Sequence, residues 1–288
     1  MQVKALACEL PSQSGVPLSR YSGRELARVV VQRGMVASIS GSTIWRWLDR
    51  DAIRPWYHRS WIFPRDPDFA EKAGRVLDLY HGLWQGARLG QHDYVISADE
   101  KTSIQARARL HATEPTRAGQ PMRVEHGYAR AGALVYLAAW DVQRAKLFGR
   151  CEPQRGILPF DQLVADVMRQ EPYPSARRVF WIVDNGSSHR GRAAVERLTK
   201  RWQNVVLVHL PIHASWLNQI EIYFSILQRK VLAPNDCASL FDLEDRILAF
   251  GERYQQSAKR FDWKYTRHDL TRRLATLNPE QPALQRCA

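Results

Sequence analysis

The chain is short of several things, and each shortage removes a class of function. Its 288 residues include four cysteines, Cys8, Cys151, Cys237 and Cys287. They are widely scattered, form no C-x-x-C and have no histidine at zinc spacing. Neither a disulfide framework nor a structural zinc site is expected, and the thiols read as reduced. Charges interrupt every long apolar run, so none reaches the ~20 residues a bilayer-spanning helix needs. The opening MQVKALACELPSQSG has one Lys, a short apolar patch and then a Glu, which does not make a secretory leader. A cytoplasmic protein with no membrane partner is expected. No internal repeat or low-complexity tract is found.

Acid is scarce too. There are 29 Asp plus Glu against 42 Lys plus Arg, a formal net charge of +13. That imbalance asks for a polyanionic partner, nucleic acid first and an acidic membrane surface second. An apolar content of 45% allows a sizeable core. The length suits one large domain or two of unequal size.

What is present falls into regions. Ser22-Gly23-Arg24-Glu25 fits a capping box and opens a helix to about Gly34, with Leu26, Val29, Val30 and Met35 on one face. A second helix begins near Ser40 or Gly41, and Ile44, Trp47 and Leu48 form its expected core face. Trp45, Trp47, Trp56 and Trp61 suit the core of a small basic domain. Residues 20–60 hold eight Arg against Glu25, Asp49 and Asp51, a local net charge of +5. Two short helices with the arginines off the apolar face predict a helix-turn-helix, with Ser42, Thr43, Arg46 and Arg50 on the DNA. A small helical bundle with a solvated basic face is the plainer alternative. PRDPDF, residues 64–69, reads as a linker, and a helix follows over about Ala70–Trp84.

From residue 94 the pattern changes. YVISA is a strand, and residues 123–150 read as two or three antiparallel strands with turns at Arg130–Gly132 and near Gln143–Arg144. Phe160–Gln170 is predicted helical, RVFWIVD a buried strand, Arg192–Trp202 a helix and VVLVHL another buried strand. A long helix is expected over about Trp216–Leu232, and one or two more finish the chain. This order is that of an α/β ribonuclease H-like core. Its mixed sheet has three antiparallel strands, then two parallel ones, flanked by helices. The boundaries are 1–63 for an incomplete helix-turn-helix region, 64–92 for linker and connecting helix, 93–235 for the catalytic domain and 236–288 for C-terminal helices.

Three acids stand in specific contexts: Asp99 in VISADEKTSIQAR, Asp184 in VFWIVDNGSSHRG and Glu221 in HASWLNQIEIYFSILQRKV. Each aspartate ends an apolar run that reads as a buried strand. Glu221 lies about 100° from Ile220 on the helix, at the margin of a stripe formed by Ile220, Phe224, Leu227 and Val231, with Arg229 and Lys230 on the far side. Carboxylates delivered by separate elements suit hard divalent cations, and two Mg²⁺ (or Mn²⁺) ions can activate both oxygens of a phosphodiester exchange. Each acid also has an ordinary reading. Asp99 would start a turn, with Glu100 the ligand instead; Asp184-Asn185-Gly186 would end a strand; Glu221 would be a solvated helix residue.

The blocks SADEKTSIQAR, VDNGSSHRG and HASWLNQIEIYFSILQRKVL resemble the three catalytic blocks of insertion-sequence transposases of the six-thirty family, bacterial relatives of the mariner type with a DDE catalytic domain. The resemblance covers most of residues 20–260. It implies a cytoplasmic, nucleoid-associated enzyme acting as a homodimer on double-stranded DNA. That enzyme cuts at terminal inverted repeats and joins the freed 3′-hydroxyl to a TA-containing target. Asp99, Asp184 and Glu221 match its metal-binding triad. Asn185, His189 and Asn218 match polar positions of the same motifs. His189 positions water or a phosphate, or else faces solvent at a helix start. Lys101 touches the DNA backbone or is a solvated loop lysine, and Trp216 stacks on a DNA end or on its own helix. Relatives carry two helix-turn-helix modules and only the second is evident. A truncated, non-mobilising DNA-binding protein that represses related elements, or another ribonuclease H-like nuclease, are the competing readings.

Overall fold

The run Arg178–Val183 shows why most of the molecule is layered. Phe180 and Ile182 enter one core, while Val179, Trp181 and Val183 enter another. A strand apolar on both faces needs cover on both. A computed structural model describes residues 2–58, 64–189 and 191–277, so Trp61 and Cys287 lie outside the described residues. The chain divides into two compact units, Met1–Phe63 and Pro64–Ala288.

The first unit contains helices α1 (Gln2–Ala7), α2 (Gly23–Gln32) and α3 (Gly41–Arg50). The expected capping box is present: the Glu25 N–H donates to the Ser22 hydroxyl at 3.3 Å and the Ser22 N–H to the Glu25 carboxylate at 3.0 Å. Ser40 caps α3 by accepting from the Thr43 N–H at 3.1 Å. Leu26, Val30, Ile44 and Leu48 are fully buried, and Val3 and Leu6 of α1 join them. Two expectations are corrected here. Trp47 is 39% exposed and Trp45 49%, so neither fills the core. The reason is that α3 packs chiefly on α2, and Ile44 with Leu48 already completes its buried stripe.

The second unit opens with α4 (Phe69–Tyr80) and a two-residue hairpin, β1 (Leu83–Trp84) with β2 (Ala87–Arg88). The preceding PRDPDF segment is fastened down. Asp66 is buried and accepts from the Ile212 N–H at 3.0 Å and from Lys72 Nζ at 3.0 Å. Then come β3 (Asp93–Ala108), β4 (Ala129–Asp141), β5 (Lys146–Glu152), α5 (Ile157–Met168), β6 (Arg178–Val183), α6 (Gly191–Arg201), β7 (Val205–His209), α7 (Ile220–Lys230), α8 (Leu240–Gln255) and α9 (Arg267–Ala275). The sheet order is β5-β4-β3-β6-β7. β3, β4 and β5 pair antiparallel, and β3–β6 and β6–β7 pair parallel. One core lies on the α4, α7 and α8 side, the other against α5 and α6.

Two strand boundaries differ from expectation. Arg130–Gly132 is no turn but part of β4, where an extra residue is absorbed as a bulge opposite β3 and Gly132 adopts φ 100°. Asp99 ends the apolar run but not the strand, because β4 continues to pair with β3 as far as Ala108. The predicted long helix starts as a 3-10 turn at Ser215–Leu217, and α7 proper begins at Ile220.

Candidate active site

The sheet register sets the site. Asp93 pairs with Arg178 and Ser97 with Ile182 along β3 and β6. At the start of both strands a bidentate ion pair locks that register: Arg178 reaches the fully buried Asp93 carboxylate at 2.8 and 3.0 Å. The pairing ends at Ser97–Ile182, two residues short of both aspartates, and the two acids lie near enough for the Asp184 charge to act on Asp99. Partnered residues of parallel strands share a face. Val95 and Phe180 both point to the α7 side and Ile96 and Trp181 to the other. Asp99 therefore faces the helix that carries Glu221, while Glu100 turns away.

A buried polar latch joins that helix to β3. The Ser97 hydroxyl donates to Asn218 Oδ1 and accepts the Ile220 N–H at 2.9 Å. Asn218 Nδ2 in turn donates to the Ala98 carbonyl at 3.0 Å and to Asp99 Oδ2 at 3.1 Å. The Tyr80 hydroxyl donates to the Leu217 carbonyl at 2.7 Å and accepts the Gln219 N–H at 3.2 Å. The start of α7, with Glu221 in its first turn, is thus fixed against the middle of β3. Asp184 is held differently. His189 Nε2 donates to its Oδ1, and the Gly186 N–H donates to the same oxygen at 2.7 Å. His189 is buried, its ring tilted at 51° to Phe160 with centroids 4.8 Å apart, and its Nδ1 lies 3.0 Å from the Ser188 hydroxyl, which donates to Glu100 at 3.2 Å. It does not face solvent; its ring positions Asp184. Asn185 donates to the Leu210 carbonyl at 2.7 Å and so ties the turn after β6 to the end of β7.

The electrostatics follow. Burial pushes the Asp99 carboxyl up to about 7, and the charges of Asp184 and Glu221 push the same way against the hydrogen bonds from Glu100 N–H and Asn218. The His189 hydrogen bond pulls Asp184 below the usual carboxylate range, aided by Gly186, although burial opposes it. Desolvation raises the Glu221 carboxyl, with Asp184 adding to the rise and Lys101 countering it. Three carboxylates thus share one field with too little positive charge among them, the donor chemistry that suits a hard divalent cation. Among the described residues, no three His, Cys, Asp or Glu side chains are gathered as a metal-binding cluster. Asp99, Asp184 and Glu221 are near enough to act on one another's charge, but in this structure they do not converge as a three-ligand site.

Residues 94–244, which contain all three acids, match the DDE superfamily endonuclease family. The chain belongs to that family. Solved structures resemble it at low identity. The Mos1 strand transfer complex is 13% identical, covering 91% of this chain and 78% of that one with a TM-score of 0.50. The Mos1 mariner paired end complex with Mn is 15% identical (91% and 79%, TM-score 0.41), and the Mos1 transposase paired-end complex with left transposon end is 13% identical (91% and 79%, TM-score 0.38). The first establishes the ribonuclease H-like fold of the catalytic core. No curated protein sequence matches this chain.

In this DDE domain Lys101 follows two residues after Asp99, and its charge counters the rise of the Glu221 carboxyl. Trp216 is 47% exposed, with an edge contact to Tyr265 at 6.5 Å. Arg229 and Lys230 are exposed in the last turn of α7, at the opposite end from Glu221. In the first unit, Ser42, Arg46 and Arg50 are exposed, while the Thr43 hydroxyl lies 2.9 Å from Ser40 Oγ and 3.4 Å from Arg46. No helix of the described residues is long and apolar enough to cross a membrane. Ser97, Tyr80 and Ser188 escaped the sequence reading. A lone hydroxyl within an apolar run, as in YVISA, is the one signal that pointed to Ser97.

Proposed function

We propose that the protein is a mariner-type DDE transposase. It cuts DNA at the ends of its element and joins the freed ends to a target containing TA. The observation that supports this reading is the parallel register of β3 and β6, which leads toward Asp99 and Asp184 at the same end of the sheet, where the charges of Asp184 and Glu221 both act on Asp99. Asp99, Asp184 and Glu221 would hold the metal, two Mg²⁺ or Mn²⁺ ions in this reading. When bound, such ions polarise phosphoryl oxygens and lower the pKa of water.

The chain's own residues prepare that chemistry. Asn218 orients Asp99, and His189 with Gly186 orients Asp184, as partners of ligands in other metal sites do. Asn185 steadies the turn that carries Asp184. Lys101, Arg229 and Lys230 offset phosphate charge, and Trp216 presents an exposed ring for a DNA end. In the first step, water adds to phosphorus and the bond to the 3′-oxygen breaks, leaving a 3′-hydroxyl and a 5′-phosphate. In the second, that hydroxyl adds to a target phosphorus and displaces the target's 3′-oxygen. Each step breaks one P–O bond and makes one, so neither needs ATP. The first unit, read as a helix-turn-helix with Ser42, Thr43, Arg46 and Arg50 on the groove, recognises the terminal repeats, and a homodimer pairs two ends.

The test is strand transfer by the purified protein. The substrate is a pre-cut duplex of the terminal repeat with a TA-containing plasmid and Mg²⁺ or Mn²⁺, alongside Asp184→Ala. Metal-dependent joining that the variant lacks is the expected result. No joining by a folded, DNA-binding protein would overturn the reading in favour of a binding module that does not mobilise DNA.

A further inference from the structure

Beyond Ser97, β3 loses its β6 neighbour and keeps only β4, so one edge of its outer half is open. Along that half lies a cleft of about 220 Å³, lined among others by Lys101, Ser103, Gln105, Arg107, Gln228 and Asn235. Its lining contains two cations and no carboxylate. Among the described residues neither Lys101 nor Arg107 has an ion-pair partner. Two cations without an ion-pair partner in a polar groove favour an anion there.

The groove is shaped by the backbone. Lys101 pairs with Tyr136 and Ile104 with Leu134, so Thr102 and Ser103 together oppose one residue of β4. That bulge puts Ser103 in the left-handed region at φ 58° and turns the strand, as bulges beside active sites commonly do. Asn235 is buried and donates to the Gln105 carbonyl at 2.7 Å, which holds the far wall to the strand. The Arg107 guanidinium rests 4.7 Å over the Tyr128 ring, which limits its freedom before any ligand arrives.

The groove also has a direction. Gln228 is seven residues after Glu221, two turns on along the same face of α7, about 10.5 Å at 1.5 Å per residue. Lys101 stands at the triad end, close enough to Glu221 to be felt by its carboxylate. At 3.4 Å per phosphate along one strand, that length spans about three nucleotides.

We propose that this cleft is a subsite for the sugar–phosphate backbone of the strand engaged at the triad, within about three nucleotides of the scissile phosphate. Lys101 and Arg107 each neutralise a phosphate, and Gln228 contributes a neutral hydrogen bond. The proposal rests on the reading of the triad as a phosphodiester site. It assigns roles to Arg107 and Gln228 that neither the catalytic motifs nor the helix-turn-helix requires.

The experiment measures binding of the full chain without metal, by fluorescence anisotropy over a range of KCl concentrations. The probes are a 12-nucleotide oligothymidylate and a generic 20-base-pair duplex. Lys101→Gln and Arg107→Gln should each reduce the slope of log affinity against log salt by about 0.7 on the single strand or 0.9 on the duplex, and the double variant by about twice that. Gln228→Leu should weaken binding a few-fold and leave the slope unchanged. Arg253→Gln, an exposed cation on α8, serves as the control and should leave both unchanged. Whichever probe shows the change identifies the backbone as single-stranded or duplex. Unchanged slopes in both cation variants, with native circular dichroism, overturn the subsite, as does an equal fall in the control. Because no metal or turnover is involved, failure here leaves the strand-transfer result standing, and a failed strand transfer leaves this one readable.

Discussion

Asp99 and Asp184 end the same kind of apolar run on neighbouring parallel strands, yet the fold treats them in opposite ways. Asp99 sits in the middle of a continuing strand, with burial and two like charges pushing it up to about 7. Asp184 leaves its strand, is 44% exposed in its side chain, and is pulled down chiefly by His189. One carboxylate is stored at a cost that a cation would relieve, and the other is already compensated by the chain. Strand register places a ligand, and its neighbours decide how much an ion gains by binding there.

The harshest break of the comparison removes either carboxylate. Asp99→Ala and Asp184→Ala should each lower strand transfer by at least about 10³-fold, since residues that act as a unit fail together. A product assay that finds one of them dispensable would mean that the triad is wrongly composed, with Glu100 the first residue to test in its place. Next come the neighbours. His189→Ala and Asn218→Ala should each weaken Mn²⁺ binding about 10–100-fold, the usual cost of losing a ligand's orienting partner. Titration of Mn²⁺ against melting temperature reads this without turnover. His189→Gln should recover part of the loss if the ring acts by donating a hydrogen bond.

Stability against pH separates the two aspartates by sign. Asp99 binds its proton more tightly folded than unfolded, so without metal its contribution falls as pH rises from about 4 to about 7 and stays low above that. At about 1.36 kcal/mol per pKa unit the cost approaches about 4 kcal/mol, and Asp99→Asn should regain about 2–4 kcal/mol at pH 8. Asp184 runs the other way. Its folded form releases the proton more readily, so it stabilises the protein above the ordinary carboxylate pKa and loses that contribution as pH falls. Asp184→Asn should therefore destabilise at pH 8. Denaturant melts of both variants at pH 4 and pH 8 decide the matter, and a stabilising Asp184→Asn would sink the contrast.

The sequence made the contrast half legible. An apolar run that stops at an acid signals a strand that ends a buried layer, so both aspartates stood out. The run cannot say whether the strand itself ends, because that depends on β4, whose pairing carries β3 to Ala108 through two bulges. Likewise, Ile44, Trp47 and Leu48 follow helical spacing equally well, but the packing of α3 against α2 decides which of them is buried. His189 was visible as a motif residue, and its burial against Phe160 was not, since that contact joins segments 29 residues apart. Local pattern reports the element and its apolar face. Partners brought from a distance set burial, charge and orientation.

The finest test compares the hydroxyl serving each aspartate. Ser97 is fully buried, and its removal leaves the Ile220 N–H and Asn218 Oδ1 without that partner where water does not reach. Ser97→Ala should cost about 1–3 kcal/mol, the penalty of orphaned buried polar groups. Because it frees the start of α7, it should also lower Mn²⁺ affinity more than its loss of stability alone explains. Ser188 is buried as well, but it bridges His189 to Glu100, which is partly open to solvent, so water can replace the lost bond. Ser188→Ala should cost about 1 kcal/mol or less, the net value of an ordinary hydrogen bond. Paired melting and Mn²⁺ titrations of the two variants measure the difference. Equal effects would mean that the latch on the Asp99 side is no tighter than the relay on the Asp184 side, and that exposure alone distinguishes the two carboxylates.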